Sequence, residues 1–257
     1  MITLIAESKT MNLSQIPASS IKNLLFPPFE DEAFQINEFV KTLTTQELSQ
    51  RLSASGNIAI KSSCLAYEFP NKSLGNLALF AFTGEVFKAL DAKSFTDKQL
   101  EFANQKLMII SSLYGLLSPK DFIKPYRLDF SAQCSPDGEP LTNFWRKRLT
   151  IAFAKWLKEN KEKEILNLLP TDASKYIDWK IIKSFAKVEK PDFKIITESA
   201  TLKTPNAGKL KELRGKMGRT VIDLEIDTLS AIRNLSTPYF IADTEEPRPG
   251  ATRFLLT

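Results

Sequence analysis

The sequence predicts an α+β fold with a mixed or antiparallel sheet flanked by helices, and three observations carry that reading. Apolar runs of strand length, Met1–Ala6, Asn76–Phe82 and Glu164–Leu169, are separated by stretches whose apolar residues recur at the three- and four-residue spacing of a helix. Two further runs, Lys180–Lys190 and Phe193–Leu202, are joined around Pro191-Asp192 and read as a hairpin, which implies antiparallel pairing. The 257 residues, 43% hydrophobic and 25% charged, suffice for a substantial core in one large domain or in two close lobes.

Met1–Ala6 lacks a basic leader and a long apolar core, so it reads as a strand and not as a signal peptide. No apolar run approaches the roughly 20 residues needed to span a bilayer. A cytoplasmic protein with no membrane partner is expected. Glu7-Ser8-Lys9-Thr10 follows the strand directly. Polar side chains at the end of a buried strand are well placed for function, although a capped turn with an exposed lysine is the plainer reading. Pro17, Pro27 and Pro28 break the chain up to Phe29. Helical patterns then run from Asp31 to Lys41 and from Thr45 to Ala54. Asn76–Phe82 is too apolar for an exposed strand and reads as a central one. It ends at Gly84-Glu85, where a helix to about Leu90 opens.

The stretch from 97 to 124 reads as a helix-hairpin-helix. Thr96-Asp97-Lys98-Gln99 is a capping box, and Leu100, Ala103, Leu107 and Ile110 give the following helix a buried face. Gly115 can close that helix with a left-handed cap. Ser118-Pro119-Lys120-Asp121 supplies start signals for a second helix, which Pro125 limits to about one turn. The amides of such a turn favour an anion, and Lys120, Lys124 and Arg127 could complete a phosphate site. Any αα-hairpin with solvated basic residues would show the same pattern.

A turn cluster, Cys134–Pro140, precedes a helix capped near Thr142-Asn143. Its apolar face is Phe144, Leu149, Phe153, Trp156 and Leu157, and its other face carries Arg146, Lys147, Arg148, Lys155 and Lys158. The most basic stretch lies between 203 and 219, where Lys203, Lys209, Lys211, Arg214, Lys216 and Arg219 face a single acid, Glu212. That excess of five equals the formal charge of the whole chain, +5. Concentrated cations suit phosphate recognition, since each neutralised phosphate releases counterions. A solvated helix face explains them too, and Gly208, Gly215 and Gly218 interrupt the helical pattern. A helix near Thr228–Asn234 follows, then strands at Tyr239–Ala242 and Thr252–Leu256 around a Pro/Gly loop at 245–250.

Composition narrows the chemistry. The chain has no histidine, which excludes Ser-His-Asp and Cys-His catalysis and imidazole as a base. Cys64 and Cys134 are isolated, so neither a structural metal nor a disulfide framework is expected, and no cofactor is implied. No P-loop and no GxGxxG is present. A pI near 9.0 is compatible with a polyanionic partner.

An ordered set of motifs then resembles the YaaA family, associated with bacterial peroxide stress and DNA binding. The set is Ser8-Lys9-Thr10, Phe82-Thr-Gly84-Glu85-Val86, Leu113-Tyr-Gly-Leu-Leu117, Pro125-Tyr-Arg127-Leu, Asn143-Phe-Trp145, Asn167-Leu168 and Arg214-Gly215-x-Met217-x-Arg219. Glu7-Ser8 stands where that family usually has Pro-Ala, Glu85 replaces an aspartate, and Leu117 replaces the second glycine of the commonest helix-hairpin-helix. The resemblance implies a single compact unit over residues 1–257 with a helix-hairpin-helix, a basic cleft and binding to double-stranded DNA with little sequence preference. On that reading Gly115, Lys120, Lys124 and Arg127 hold one phosphate, and Arg146, Lys147, Arg148, Lys209, Lys211, Arg214, Lys216 and Arg219 line the cleft. The alternative is a nucleobase- or nucleotide-processing enzyme, with Lys9, Glu85 and Arg127 as candidate catalytic residues at the ends of elements. A monomer is expected.

Overall fold

Ile2–Ala6 (β1) is buried at all five positions, as a strand covered on both faces must be. The protein is described from a computed structural model at residues 1–70, 73–198, 201–243 and 250–256. After a short strand, Ile16–Pro17 (β2), come three helices, Glu30–Thr42 (α1), Thr45–Leu52 (α2) and Gly56–Glu68 (α3). Thr44 and Glu47 exchange side-chain to backbone bonds at the start of α2, which satisfies two orphan donors at once. Leu74–Leu77 (β3), Ala78–Ala81 (α4), Glu85–Leu90 (α5) and Asp97–Lys106 (α6) lead into Leu107–Ser111 (β4), Gly115–Leu117 (β5) and Phe122–Ile123 (β6). Leu141–Glu159 (α7) precedes Glu164–Asn167 (β7), and Thr171–Ser174 (α8) and Trp179–Ile182 (α9) precede Lys187–Glu189 (β8). The remaining elements are Asp192–Ile196 (β9), Leu202–Lys203 (β10), Ala207–Asp223 (α10), Leu229–Arg233 (α11), Phe240–Ala242 (β11) and Arg253–Leu256 (β12).

The strands form an α+β arrangement of mixed sheets. The largest has the order β5-β4-β1-β7-β8. Its inner pairings are parallel and only β5, at the edge, runs antiparallel to β4. A second sheet has the order β10-β9-β12-β11 and a third the order β2-β3-β6. From β1 the chain goes to β4 on one side and then crosses to β7 on the other. The carboxyl ends of β1 and β7 therefore border the crevice where a strand order of this kind places its ligands. Buried apolar side chains from both ends of the chain form one cluster. Among the described residues, no helix is long and apolar enough to cross a membrane.

Three expectations are corrected here. The segment from 97 to 124 is not a helix-hairpin-helix. Its capping box does start α6, with the Thr96 hydroxyl accepting from the Gln99 N–H. Leu107 and Ile110, however, belong to β4, which pairs with β1 and is buried throughout. An apolar Leu-Met-Ile-Ile run beside the central strand gains more as sheet than as a further helical turn, because both of its faces are then covered. Gly115 opens β5 of a β-hairpin, and Ser118 to Asp121 forms a turn in which the Asp121 carboxylate accepts from the Ser118 N–H at 2.8 Å. Secondly, Asn76–Phe82 is not one strand: β3, the middle strand of the three-stranded sheet, stops at Leu77 and a one-turn helix follows. Thirdly, Lys180–Lys190 and Phe193–Leu202 do not form a hairpin. The first splits into α9 and β8, and β8 joins β7 while β9 joins β12, both in parallel. The Pro/Gly loop expected at 245–250 lies, apart from Gly250, outside the described residues.

Candidate functional site

The end of β1 builds the site. The Glu7 N–H continues the parallel ladder by donating to the Ile110 carbonyl at 2.9 Å, which fixes the side chain at the mouth of the crevice. Its Oε2 accepts from the Ser112 N–H at 2.8 Å and from the Tyr126 hydroxyl. The same Tyr126 hydroxyl lies 2.7 Å from the Ser111 Oγ. Enclosure of the carboxyl raises the Glu7 pKa from 4.5 to about 7, against the opposing pull of these donors. Burial, and the Glu7 charge beside it, push the Tyr126 phenol well up.

Ser8 and Lys9 tie this strand end to two other segments. The Ser8 Oγ accepts from the Gly84 N–H at 3.0 Å, at the start of α5. Lys9 reaches Asp129, its Nζ 3.0 Å from Oδ2. Burial raises the Asp129 pKa, but hydrogen bonds from Ser131 and Lys9 outweigh it and hold this carboxyl below its usual value. Glu7 and Asp129 thus have environments that push them apart, the pattern by which one site keeps both an acid and a base.

The opposite wall comes from α5 and α10, which pack closely at Gly215. A Cβ there would lie 2.3 Å from the Val86 carbonyl oxygen and 2.7 Å from the Ala89 Cβ. Gly215→Ala is therefore expected to force the helices apart and cost about 1–3 kcal/mol. An unchanged melting temperature would show that the contact yields freely. The close approach brings Arg214 and Lys211 to a cleft of about 380 Å³ that Glu7, Lys9, Glu85 and Asp129 also line. Arg214 is half-buried, and burial lowers its pKa while Asp172 opposes the shift.

The expected site residues separate into those the cleft gathers and those it does not. Lys9 and Glu85 share it, but Lys9 pairs with Asp129, and Glu85 pairs with Lys88 at 2.7 Å. Arg127 is half-buried and spends its guanidinium on the Leu128 carbonyl at 3.2 Å, outside the cleft lining. Gly115 lies in the core, facing Trp145 and Leu149, so its turn offers no amides to a phosphate. Lys120 pairs with Glu101 at 3.2 Å, and the Lys124 ammonium donates to the Glu68 carbonyl at 3.1 Å. On α7, Arg146 pairs with Asp178 and borders a separate groove with Lys147, while Arg148 lies over the Phe144 ring. On α10, Lys209 and Lys216 both pair with Glu212, and Arg219 pairs with Asp223.

The cleft itself is of mixed charge. Lys9, Lys88, Lys211 and Arg214 meet Glu7, Glu85, Asp129 and Asp172 there, so the basic cleft that was expected is not shown at this site. Sequence reasoning missed Glu7, Asp129 and Asp172 as site residues. For Glu7 the signal was present, since a carboxylate directly after five buried strand residues sits at a sheet's carboxyl edge.

Fold and site together define an α+β protein with an acid- and base-lined cleft at the carboxyl edge of a largely parallel sheet. Comparison with known proteins places it further: residues 1–246 match the family of the peroxide stress protein YaaA, and the chain belongs to that family. It is similar to a UPF0246 protein of Shewanella sp. (strain MR-4), 29% identical over 265 residues that cover 99% of this chain and 98% of that protein. It is also similar to a UPF0246 protein of Francisella philomiragia subsp. philomiragia, 28% identical over 240 residues and 92% of each chain.

Proposed function

We propose that the protein binds DNA through its phosphate backbone, with little sequence preference, in the response to peroxide stress, and that the cleft takes one nucleotide unit of the strand. Arg214 carries this reading. It is half-buried at the cleft and makes no ion pair with the described residues, whereas Arg219 on the same helix is held by Asp223 at 2.8 Å. A cation taken partly out of water needs an anion to offset its lost hydration, and the forked guanidinium suits a phosphate. The cleft volume lies within the range of small-ligand sites, which is room for a nucleotide and not for a duplex.

The test is fluorescence anisotropy with labelled single- and double-stranded oligonucleotides of unrelated sequence at several salt concentrations. Affinity is expected to fall with salt by about 0.7 to 0.9 log units per phosphate contact per decade. Arg214→Gln with Lys211→Gln should weaken all sequences alike and flatten the slope by about two contacts, because backbone contacts carry no base information. Lys120→Ala, whose partner is Glu101, should bind like wild type. Salt-independent binding, or a loss confined to one sequence, rejects the reading.

A second reading, processing of the bound nucleotide, is favoured by the contrasting Glu7 and Asp129 carboxyls in one cleft. It shifts the chemistry away from Lys9, which is exposed and engaged by Asp129 and so is poorly placed as a nucleophile.

A further inference from the structure

The two oxygens of Glu7 are not equivalent. Two donors, the Ser112 N–H and the Tyr126 hydroxyl, converge on Oε2, and the Ser111 and Ser112 hydroxyls also stand close enough to the carboxyl to favour its charged form. Oε1 makes no hydrogen bond with the described residues, and the side chain lines the cleft. An oxygen that accepts two hydrogen bonds is the less favourable place for a carboxylic proton, so in the neutral acid the proton sits on Oε1. Glu7 is half-buried, and an O–H that faces the cleft without a protein acceptor is open to a ligand's.

We propose that Glu7 is the proton-bearing group of this cleft and donates from Oε1 to an acceptor atom of a bound nucleotide unit whose phosphodiester lies against Arg214 and Lys211. The proposal rests on the reading of the cleft as a phosphate site and adds what the far end of the ligand must carry: a neutral acceptor, such as a base carbonyl or a sugar hydroxyl. The groups that face Glu7 are consistent with an acid kept neutral. From the β4 end and the following segment come Ser111, Ser112 and Tyr126, all uncharged hydrogen-bonding groups. Beyond α8 stands Tyr176, whose phenol is pushed up by burial and further by the Glu7 charge. Around the cleft, Lys9 is matched by Asp129 and Lys88 by Glu85, and Asp172 stands near Arg214. Among these groups no cation is committed to Glu7. Ionisation would set an uncompensated negative charge facing an anionic ligand.

The experiment is calorimetric titration of the intact protein with thymidylyl-(3′→5′)-thymidine from pH 5.5 to 8.5. The charge of this phosphodiester does not change over that range, so any proton linkage belongs to the protein. Wild-type affinity is expected to fall as pH rises through about 7, approaching tenfold per pH unit above it if only the neutral acid binds. Glu7→Gln keeps a neutral donor in place and should bind with a flat profile through pH 8.5. Tyr126→Phe removes one of the donors that lower the Glu7 pKa and should move the midpoint upward, a readout that survives if the glutamine variant does not fold. Arg214→Gln should weaken binding at every pH and leave the midpoint where it was. A flat wild-type profile with Arg214→Gln still weakened overturns the role of Glu7 and leaves the phosphate site standing, as does a pH-dependence that Glu7→Gln retains. No binding at any pH, or Arg214→Gln binding like wild type, overturns the phosphate reading and this proposal with it.

Discussion

Gly115→Val is expected to remove much of the protein's stability. Gly115 has φ of +70° at the start of β5, where a β-branched residue is a true outlier and the backbone strain alone is about 1–3 kcal/mol. The space is also taken: a Cβ would lie 2.7 Å from the Leu149 Cδ2 and 2.8 Å from the Trp145 Cζ3. Overpacking of that kind adds about 1–3 kcal/mol. The sum approaches the lower end of the roughly 5–15 kcal/mol that holds a folded protein together. Trp145 has little freedom to move aside, since it is fully buried and its indole N–H donates to the Ser112 carbonyl at 2.8 Å. That bond also links the hairpin to the site, because the N–H of the same Ser112 holds Glu7. Denaturant unfolding, compared with wild type, measures the effect. A midpoint unchanged within error would mean that the turn accommodates a side chain, and the geometric argument would fail.

The sequence reveals local signals better than their consequences. The capping boxes at Thr44–Glu47 and Thr96–Gln99 mark the starts of α2 and α6 correctly, because a cap is satisfied within four residues and needs no knowledge of the rest of the chain. The end of α6 is a different matter. Leu100, Ala103, Leu107 and Ile110 keep helical spacing across the helix–strand junction, and only the neighbouring β1 decides that Leu107 begins a strand. The same limit governs β8 and β9. Their sequences show two extended runs with a turn between them, but the partners that claim them, β7 and β12, lie 20 or more residues away in the chain.

The site was half legible for the same reason. Glu7 to Thr10 at the end of an apolar strand, Gly84-Glu85 at a helix start and Arg214 in the basic helix were all visible as polar groups at the ends or on the faces of elements. Their meeting was not, since it depends on the crossing from β4 to β7 that leaves a crevice beside β1. The density of cations from 203 to 219 misled in one respect. Lys209, Lys216 and Arg219 are neutralised by Glu212 and Asp223 on the same helix, at three- and four-residue spacings that were already present in the sequence. Arg214, with no such partner, is the one that turns into the cleft with Lys211.

Glu7→Gln is expected to make the protein more stable than wild type at pH 8, by about 3 kcal/mol at most, while the two differ little near pH 4.5. The sign follows from proton binding. The Glu7 pKa is about 7 in the folded protein against an ordinary value of 4.5, so between these limits the folded state keeps a proton that the unfolded state has released. The contribution is fully present below about pH 4.5, declines as pH rises, and is lost once the folded carboxyl ionises near pH 7. Glutamine does not ionise, and its carbonyl can accept from Ser112 and Tyr126 as Oε2 does. Asp121, which burial also raises to about 7, imposes a slope of the same sign that the variant keeps, so the comparison with wild type isolates Glu7. Chemical denaturation at pH 5 and pH 8 measures it. A gap between variant and wild type that is the same at both values would mean that Glu7 does not titrate in this window. A gap that opens with pH would mean that wild type keeps, in the lining of its cleft, a carboxyl whose ionisation costs it stability, as residues retained for binding or chemistry often do.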